Sequence, residues 1–166
     1  MLILGIDPGL QKTGWGIIEK NGNQLSYLGS GLIKTNASDE LPRRLAYLHE
    51  QLSGLLTLWN PNSAAIEETF VNKNPASALK LGQARGVLLA VPAIHGIECA
   101  EYSANKIKKS VVGVGHANKD QIGMMIKTLL PTCGKVSEDE ADALAVAITH
   151  AHLSQQSLGR LYAHEL

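Results

Sequence analysis

Residues 138–142 read Glu138-Asp139-Glu140-Ala141-Asp142, four acids in five positions. Two further acids close apolar runs: Asp7 follows Leu2-Ile3-Leu4-Gly5-Ile6, and Glu67 follows Ala64-Ala65-Ile66. Helical geometry divides the acidic run into two pairs. Ser137-x-x-Glu140 has the form of a capping box, and an acidic helix start accounts for Glu138 and Glu140. Asp139 and Asp142 are three apart, so they share one helix face near the positive end of its dipole. A helix start does not explain Asp142, which lies among Ala141, Ala143, Leu144, Ala145, Val146, Ala147 and Ile148. A carboxylate on so apolar a face wants a partner. Asp7 before Pro8-Gly9 has a competing reading as turn chemistry, and Glu67 as a solvated strand end. For Glu68 the solvated reading is the better one.

Asp7, Glu67, Asp139 and Asp142 gathered in one place cannot all stay ionised without a cation between them. Hard oxygen donors, with neither histidine nor thiolate and with an incomplete cage, select Mg²⁺ or Mn²⁺. Two such ions roughly 3.5–4 Å apart activate a water and stabilise the leaving oxygen of a phosphodiester. The chemistry expected of these residues is metal-dependent phosphoryl hydrolysis.

The elements that must gather them follow from the apolar pattern. Leu2 to Ile6 is apolar on both faces and reads as a central strand. Thr13–Lys20 and Gln24–Lys34 flank Asn21-Gly22, a strong hairpin signal, so the first three strands form an antiparallel meander. Leu41, Leu45, Leu48, Leu52, Leu55 and Trp59 mark one face of a long helix, starting near Ser38 and Pro42 and ending before Asn60-Pro61. A short strand at 64–67 is reached through that helix and is expected beside the first strand, which brings Glu67 to Asp7. A second helix opens at Asn74-Pro75 and runs to about Pro92. Ile97 to Tyr102 reads as a fifth strand. Three helices follow: Ser103 to about Val111, Asn118 to Leu130, and Glu138 to about Leu153. The order βββαβαβααα predicts one α/β domain over residues 1–153, a mixed five-stranded sheet flanked by helices, with a polar and flexible tail over 154–166.

Composition fits one globular domain of 166 residues, 45% apolar and 18% charged. Fifteen basic and fifteen acidic residues sum to zero, which by itself argues against a nucleic-acid partner. The charge is not evenly spread. Thr69 to Ser137 carries nine basic residues and three acidic ones, a net +6, just before the acidic run. Neutrality therefore conceals a basic surface around an acidic site. Cys99 and Cys133 stand far apart and read as reduced thiols. The histidines show no ligand spacing, and His150-x-His152 reads as exposed helix. The longest apolar run, Val87 to Ile94, contains Pro92 and is far short of a membrane span. A cytoplasmic protein without a membrane partner is expected.

Several segments together resemble one family. Leu4-Gly5-Ile6-Asp7-Pro8-Gly9 with Thr13-Gly14-Trp15-Gly16, Ala65-Ile66-Glu67, and Ala76-Ser77-Ala78-Leu79-Lys80-Leu81-Gly82-Gln83-Ala84-Arg85-Gly86 are similar to the RuvC family of bacterial crossover-junction endodeoxyribonucleases. Val111-Val112-Gly113 and Ala141-Asp142-Ala143-Leu144-Ala145 continue the likeness, which extends to His152. The Asp-x-Gly strand alone belongs to a large superfamily; the complete ordered set is specific. The resemblance implies an RNase H-like fold and a homodimer that resolves Holliday junctions by paired nicks. It places the catalytic acids on Asp7, Glu67, Asp139 and Asp142, the four selected above. It also implies an association with the RuvA–RuvB branch-migration machinery.

Phe70, the single phenylalanine, lies in the polar stretch Phe70-Val71-Asn72-Lys73-Asn74 just after Glu67. A stacking role on an unpaired base is expected there, worth about 1–3 kcal/mol, and the resemblance places a base-contacting aromatic in this loop. Lys108 and Lys119 match family lysines near the scissile phosphate. Lys73, Lys106, Lys109 and Arg85 are expected to contact phosphates without regard to sequence. Lys127 and Lys135 read as a solvated face. Ala78, Gly82, Gly86 and Ala90 recur at four-residue steps, which marks a face closely approached by another element, and the resemblance makes it the subunit interface.

Other readings stay open at this level. An RNase H-like nuclease acting on RNA–DNA hybrids or other branched DNA needs the same acids. A junction-binding protein without activity needs the fold and not the full acid set. An actin-like ATPase or sugar kinase shares the Asp-x-Gly strand but needs a second domain, for which 166 residues leave no room.

Overall fold

The apolar run at the N-terminus forms β1 (Leu2–Asp7), and the Asn21-Gly22 turn joins β2 (Lys12–Asn21) to β3 (Gln24–Lys34). The computed structural model describes residues 1–69 and 74–162, with side chains described as far as Ser154. Gly22 takes φ of 59°, the left-handed conformation that a tight hairpin turn asks of its residues. Then follow α1 (Leu41–Trp59), β4 (Ser63–Glu67), α2 (Pro75–Ile94), β5 (Cys99–Tyr102), α3 (Ala104–Val112), α4 (Lys119–Leu129) and α5 (Glu138–Tyr162). The element order is the one expected from the sequence.

The strands form one sheet in the order β3-β2-β1-β4-β5. β1 pairs antiparallel with β2 and parallel with β4, with Ile6 opposite Ile66, so β1 and β4 end side by side. Strand alternation then sorts the residues into two cores. Ile3, Ile18 and Ala65 join α3, α4 and α5 on one face. Leu4, Ile6, Ile17, Ala64 and Ile66 join α1 and α2 on the other. Asp7 continues the Ile3-Gly5 side and Glu67 the Ala65 side, so both acids belong to the α5 face.

Capping fixes most of the helix starts. Asn74 caps α2 through the Ala76 and Ser77 amides, and Asn118 forms a reciprocal capping box with Gln121 at α4. Three expectations need correction. Ser38 does not cap α1; it bonds Asn36 instead, while Glu40 stands at the cap position and Pro42 occupies the first turn. α5 continues past Leu153 to Tyr162, since a polar composition without proline does not stop a helix. His150 is not exposed: it is half-buried, bonded through Nδ1 to the Tyr102 hydroxyl at 2.8 Å and through Nε2 to Ser63 Oγ at 3.1 Å. Among the described residues no helix is long and apolar enough to cross a membrane.

Candidate active site

Asp7 and Glu67 occupy adjacent strand ends, and the start of α5 is pressed down beside them by glycine. Gly14 pairs with Asp7 across β1 and β2, and a Cβ at Gly14 would collide with the Asp139 carbonyl. A Cβ at Gly5 would strike the Ala143 carbonyl and the Ala147 amide, and one at Gly16 the Leu144 side chain. These glycines let the α5 backbone touch the sheet, which delivers Asp139 and Asp142 to the strand ends. The capping box then fixes where α5 begins: the Ser137 amide donates to Glu140 at 2.9 Å, and the Glu140 amide to Ser137 Oγ at 3.4 Å. The Glu140 carboxylate also accepts from Ser137 Oγ at 2.7 Å and from Ser30 Oγ at 2.8 Å; burial raises it, but the hydrogen bonds it accepts from Ser137 and Ser30 hold it below the usual range. Glu140 is structural, as its spacing predicts.

The loop after Asp7 is braced in turn. Thr13 Oγ1 donates to the Gly9 carbonyl and Thr35 Oγ1 to the Leu10 carbonyl, each at 2.6 Å, and both threonines are buried. A Cβ at Gly9 would strike the Lys12 carbonyl, so the tight return from β1 into β2 requires glycine there.

Burial and mutual repulsion act on the acids together. Burial pushes the Asp7 carboxyl up to about 8, and the charges of Asp142, Glu67 and Asp139 add to it, against a smaller pull from Lys119. Burial also raises Glu67, with Asp142 adding and Lys108 opposing. Asp142 is raised by burial and by Asp139, with Lys119 and Lys108 opposing. Glu67, Asp142, Lys108 and Lys119 line one open cavity of about 410 Å³, floored by Ile107, Ile122 and Ala145. Among the described residues no three His, Cys, Asp or Glu side chains form a ready-made metal cage. The donor set still fits Mg²⁺, which keeps several waters and takes only one or two carboxylates directly.

Comparison with known proteins decides the family. The family model of the crossover junction endodeoxyribonuclease RuvC matches residues 3–150. The RuvC of Paramagnetospirillum magneticum is 54% identical over 165 residues, covering 98% of this chain and 99% of its own. That of Methylocella silvestris is 58% identical over 151 residues, covering 91% and 86%. This chain belongs to the RuvC family. Among solved structures, T. thermophilus RuvC in complex with a Holliday junction substrate matches with a TM-score of 0.89 at 28% identity, covering 95% of this chain and 96% of that one. The yeast mitochondrial Holliday junction resolvase Ydc2 matches at 0.70 with 15% identity, covering 93% and 79%, a likeness of fold alone. The RNase H-like fold implied by the sequence is the fold of this RuvC-family chain.

The residues expected to meet DNA divide into four groups, of which Lys106 and Lys109 line a second open cavity, apart from the acids, with Gly113 and His116. Lys108 and Lys119 stand at the cavity with the acids, and Lys119 forms an exposed ion pair with Glu138. Phe70 and Lys73 lie outside the described residues. Arg85 is already engaged within the chain: its guanidinium meets the Glu101 carboxylate and the Glu67 carbonyl. Sequence reasoning gave no role to Gly5, Gly14, Gly16 and Thr13 although it quoted them. For the glycines the signal was small residues at alternate strand positions facing an alanine-rich helix.

Proposed function

We propose that this chain resolves Holliday junctions as a homodimer, cutting phosphodiesters with Asp7, Glu67, Asp139 and Asp142 as its metal-holding acids. The observation that carries this reading is the convergence of the four acids, Asp7 and Glu67 at adjacent strand ends with the start of α5 packed against Gly14, in a chain of the RuvC family. The four would hold Mg²⁺, two ions per site, with Mn²⁺ able to substitute. Such a pair supplies an activated water and a stabilised leaving oxygen at the phosphodiester.

The chain's own groups do the rest. Burial and the neighbouring acids favour the protonated form of Asp7, and a cation held among the four would favour its ionised form. Lys108 and Lys119 face the non-bridging phosphate oxygens as point charges. A phosphate there competes with Glu138 for Lys119, an exposed pair that holds it only weakly. Phe70 supports an unpaired base at the crossover, and Lys73 contacts the backbone nearby. With the four acids neutralised by metal, the remaining residues carry +4 per subunit. Junction affinity should therefore fall steeply with salt.

The outer face of α2 suits a second copy. Leu79 and Ile94 are 66% and 71% exposed, and nothing lies within 4 Å of a Cβ placed at Gly82 or Gly86. A two-fold dimer matches a junction with two equivalent strands to cut. We place the chain in the cytoplasm and in association with RuvA–RuvB, readings that membership of the RuvC family supports. A side-by-side digest of a four-way junction, a plain duplex and an RNA–DNA hybrid in Mg²⁺ tests the reading. Paired nicks in the junction are expected; preference for the hybrid would overturn the substrate while leaving the metal chemistry standing.

A further inference from the structure

Arg85 lies on α2, behind the sheet as seen from the carboxylates, and its side chain is 18% exposed. Its Nε donates to the Glu67 carbonyl at 3.2 Å, and its Nη2 pairs with the Glu101 carboxylate on β5. Glu101 stands opposite Ile66 in the parallel register, one strand over from the residue before Glu67. The Glu68 amide, which belongs to the same peptide unit as the Glu67 carbonyl, donates to the Tyr102 carbonyl at 2.8 Å. The peptide that follows Glu67 is thus held at both ends, by Arg85 on one side and β5 on the other. A guanidinium can do this because its planar fork serves two acceptors in fixed directions, which an ammonium cannot.

We propose that Arg85 is a positioning residue for the cleavage site: anchored by Glu101, it fixes the Glu67–Glu68 peptide from the rear of the sheet and so sets the stance of the Glu67 carboxylate toward the cation. This rests on the reading of Glu67 as a metal-holding acid. It also connects α2, the helix with the uncovered outer face, to the acid site through a single side chain.

The test uses the full chain as Arg85→Lys, Arg85→Gln, Glu101→Gln and Glu67→Gln. Three quantities are measured: metal-free junction affinity across a salt series, the Mg²⁺ concentration for half-maximal cleavage, and hydrogen exchange of the Glu68 amide without metal. For Arg85→Lys and Glu101→Gln, unchanged affinity and salt slope are expected. Their half-saturating Mg²⁺ should rise roughly 10-fold or more, as for other outer partners of metal ligands, with faster Glu68 exchange. Glu101→Gln is the sharper variant, because removing a negative charge would by electrostatics alone strengthen DNA binding. A weaker junction complex with the salt slope reduced by about one in Arg85→Gln would make Arg85 a phosphate contact. Wild-type Mg²⁺ dependence and exchange in both Arg85 variants would make it packing only, and either result overturns the proposal. Glu67→Gln separates the two readings. If it cleaves normally, the acid assignment fails and the proposal with it; if it is inactive while the Arg85 variants keep wild-type Mg²⁺ dependence, the proposal alone fails.

Discussion

The two faces of the sheet are both apolar at their centres but are packed by different means. On the α5 face the closest contacts are made by Gly5, Gly14 and Gly16 against Ala143, Ala147, Leu144 and the Asp139 backbone. On the other, Leu4, Ile6 and Ile17 meet Leu48, Leu52, Leu56 and Leu88. Branched side chains hold a helix away from the strands and bury more area; glycine and alanine give up that area and bring the backbones into contact. All four acids lie on the close side. A helix that must present Asp139 and Asp142 beside two strand ends has to be near them. The far side contributes stability, the rear clamp from Arg85 and an outer face left open.

The largest effect should come from Asp7 on the close face. Asp7→Asn is expected to lower junction cleavage by at least roughly 10³-fold, about 4 kcal/mol of transition-state stabilisation, while junction binding persists. Single-turnover cleavage and a gel-shift titration on one preparation check both halves. A variant that cut at the wild-type rate would remove Asp7 from the chemistry.

Matched losses of stability on the two faces should differ in their consequences. Gly14→Ala forces a methyl against the Asp139 carbonyl and should cost about 1–3 kcal/mol, the range for overpacking. Leu88→Ala empties a fully buried site on the far face and should cost about 2–5 kcal/mol. Only Gly14→Ala should raise the Mg²⁺ concentration needed for cleavage, because only it displaces an acid. Urea melts paired with Mg²⁺ titrations compare them directly. Equal Mg²⁺ dependence in the two variants would show that proximity of α5 is not what the glycines provide.

The close face should also carry a pH dependence that the far face lacks. Without metal, burial and the neighbouring acids push the Asp7 carboxyl of the folded protein up to about 8, from an ordinary value of 3.8. Between those values the folded protein keeps a proton that the unfolded chain has released. Stability from this group is therefore full below about pH 4 and is lost as pH rises toward 8, on the order of a few kcal/mol. Thermal melts in a chelator at pH 5 and pH 8 should show that loss in the wild type. Asp7→Asn should reduce it to the share that Glu67 and Asp142, which are raised as well, still contribute, and Mg²⁺ should reverse it in the wild type. Among the described residues no carboxylate on the far face is fully buried.

The same contrast explains what was legible in the sequence. Periodicity and turn chemistry act locally, so the hairpin at Asn21-Gly22, the cap at Asn74 and the helix starts near Ser103 and Asn118 could be read directly. The acids were legible because ionised groups among apolar neighbours need a reason to be there. Arg85 was not, because its partners at Glu67 and Glu101 are 18 and 16 residues away and meet it only across the sheet. A charge count treats such a guanidinium as free, and only tertiary contacts show it to be occupied. His150 was misplaced for the same reason: its partners Tyr102 and Ser63 come from two other strands.

The smallest effect concerns the open side of α2, where glycine has a different meaning from glycine under α5. Gly82 and Gly86 lie inside a helix with open space around them. In an isolated subunit, replacing either by alanine should add roughly 1 kcal/mol, the usual difference in helix propensity. If a second copy packs there, the added methyl occupies space that the partner's backbone needs. Gly82→Ala and Gly86→Ala should then melt higher at low concentration yet associate more weakly in sedimentation, and single nicks should accumulate where the wild type makes pairs. Higher melting with unchanged association would mean that the two subunits meet elsewhere. The open face of α2 would then be an ordinary solvent-facing surface, and Arg85 would connect the acid site to no interface.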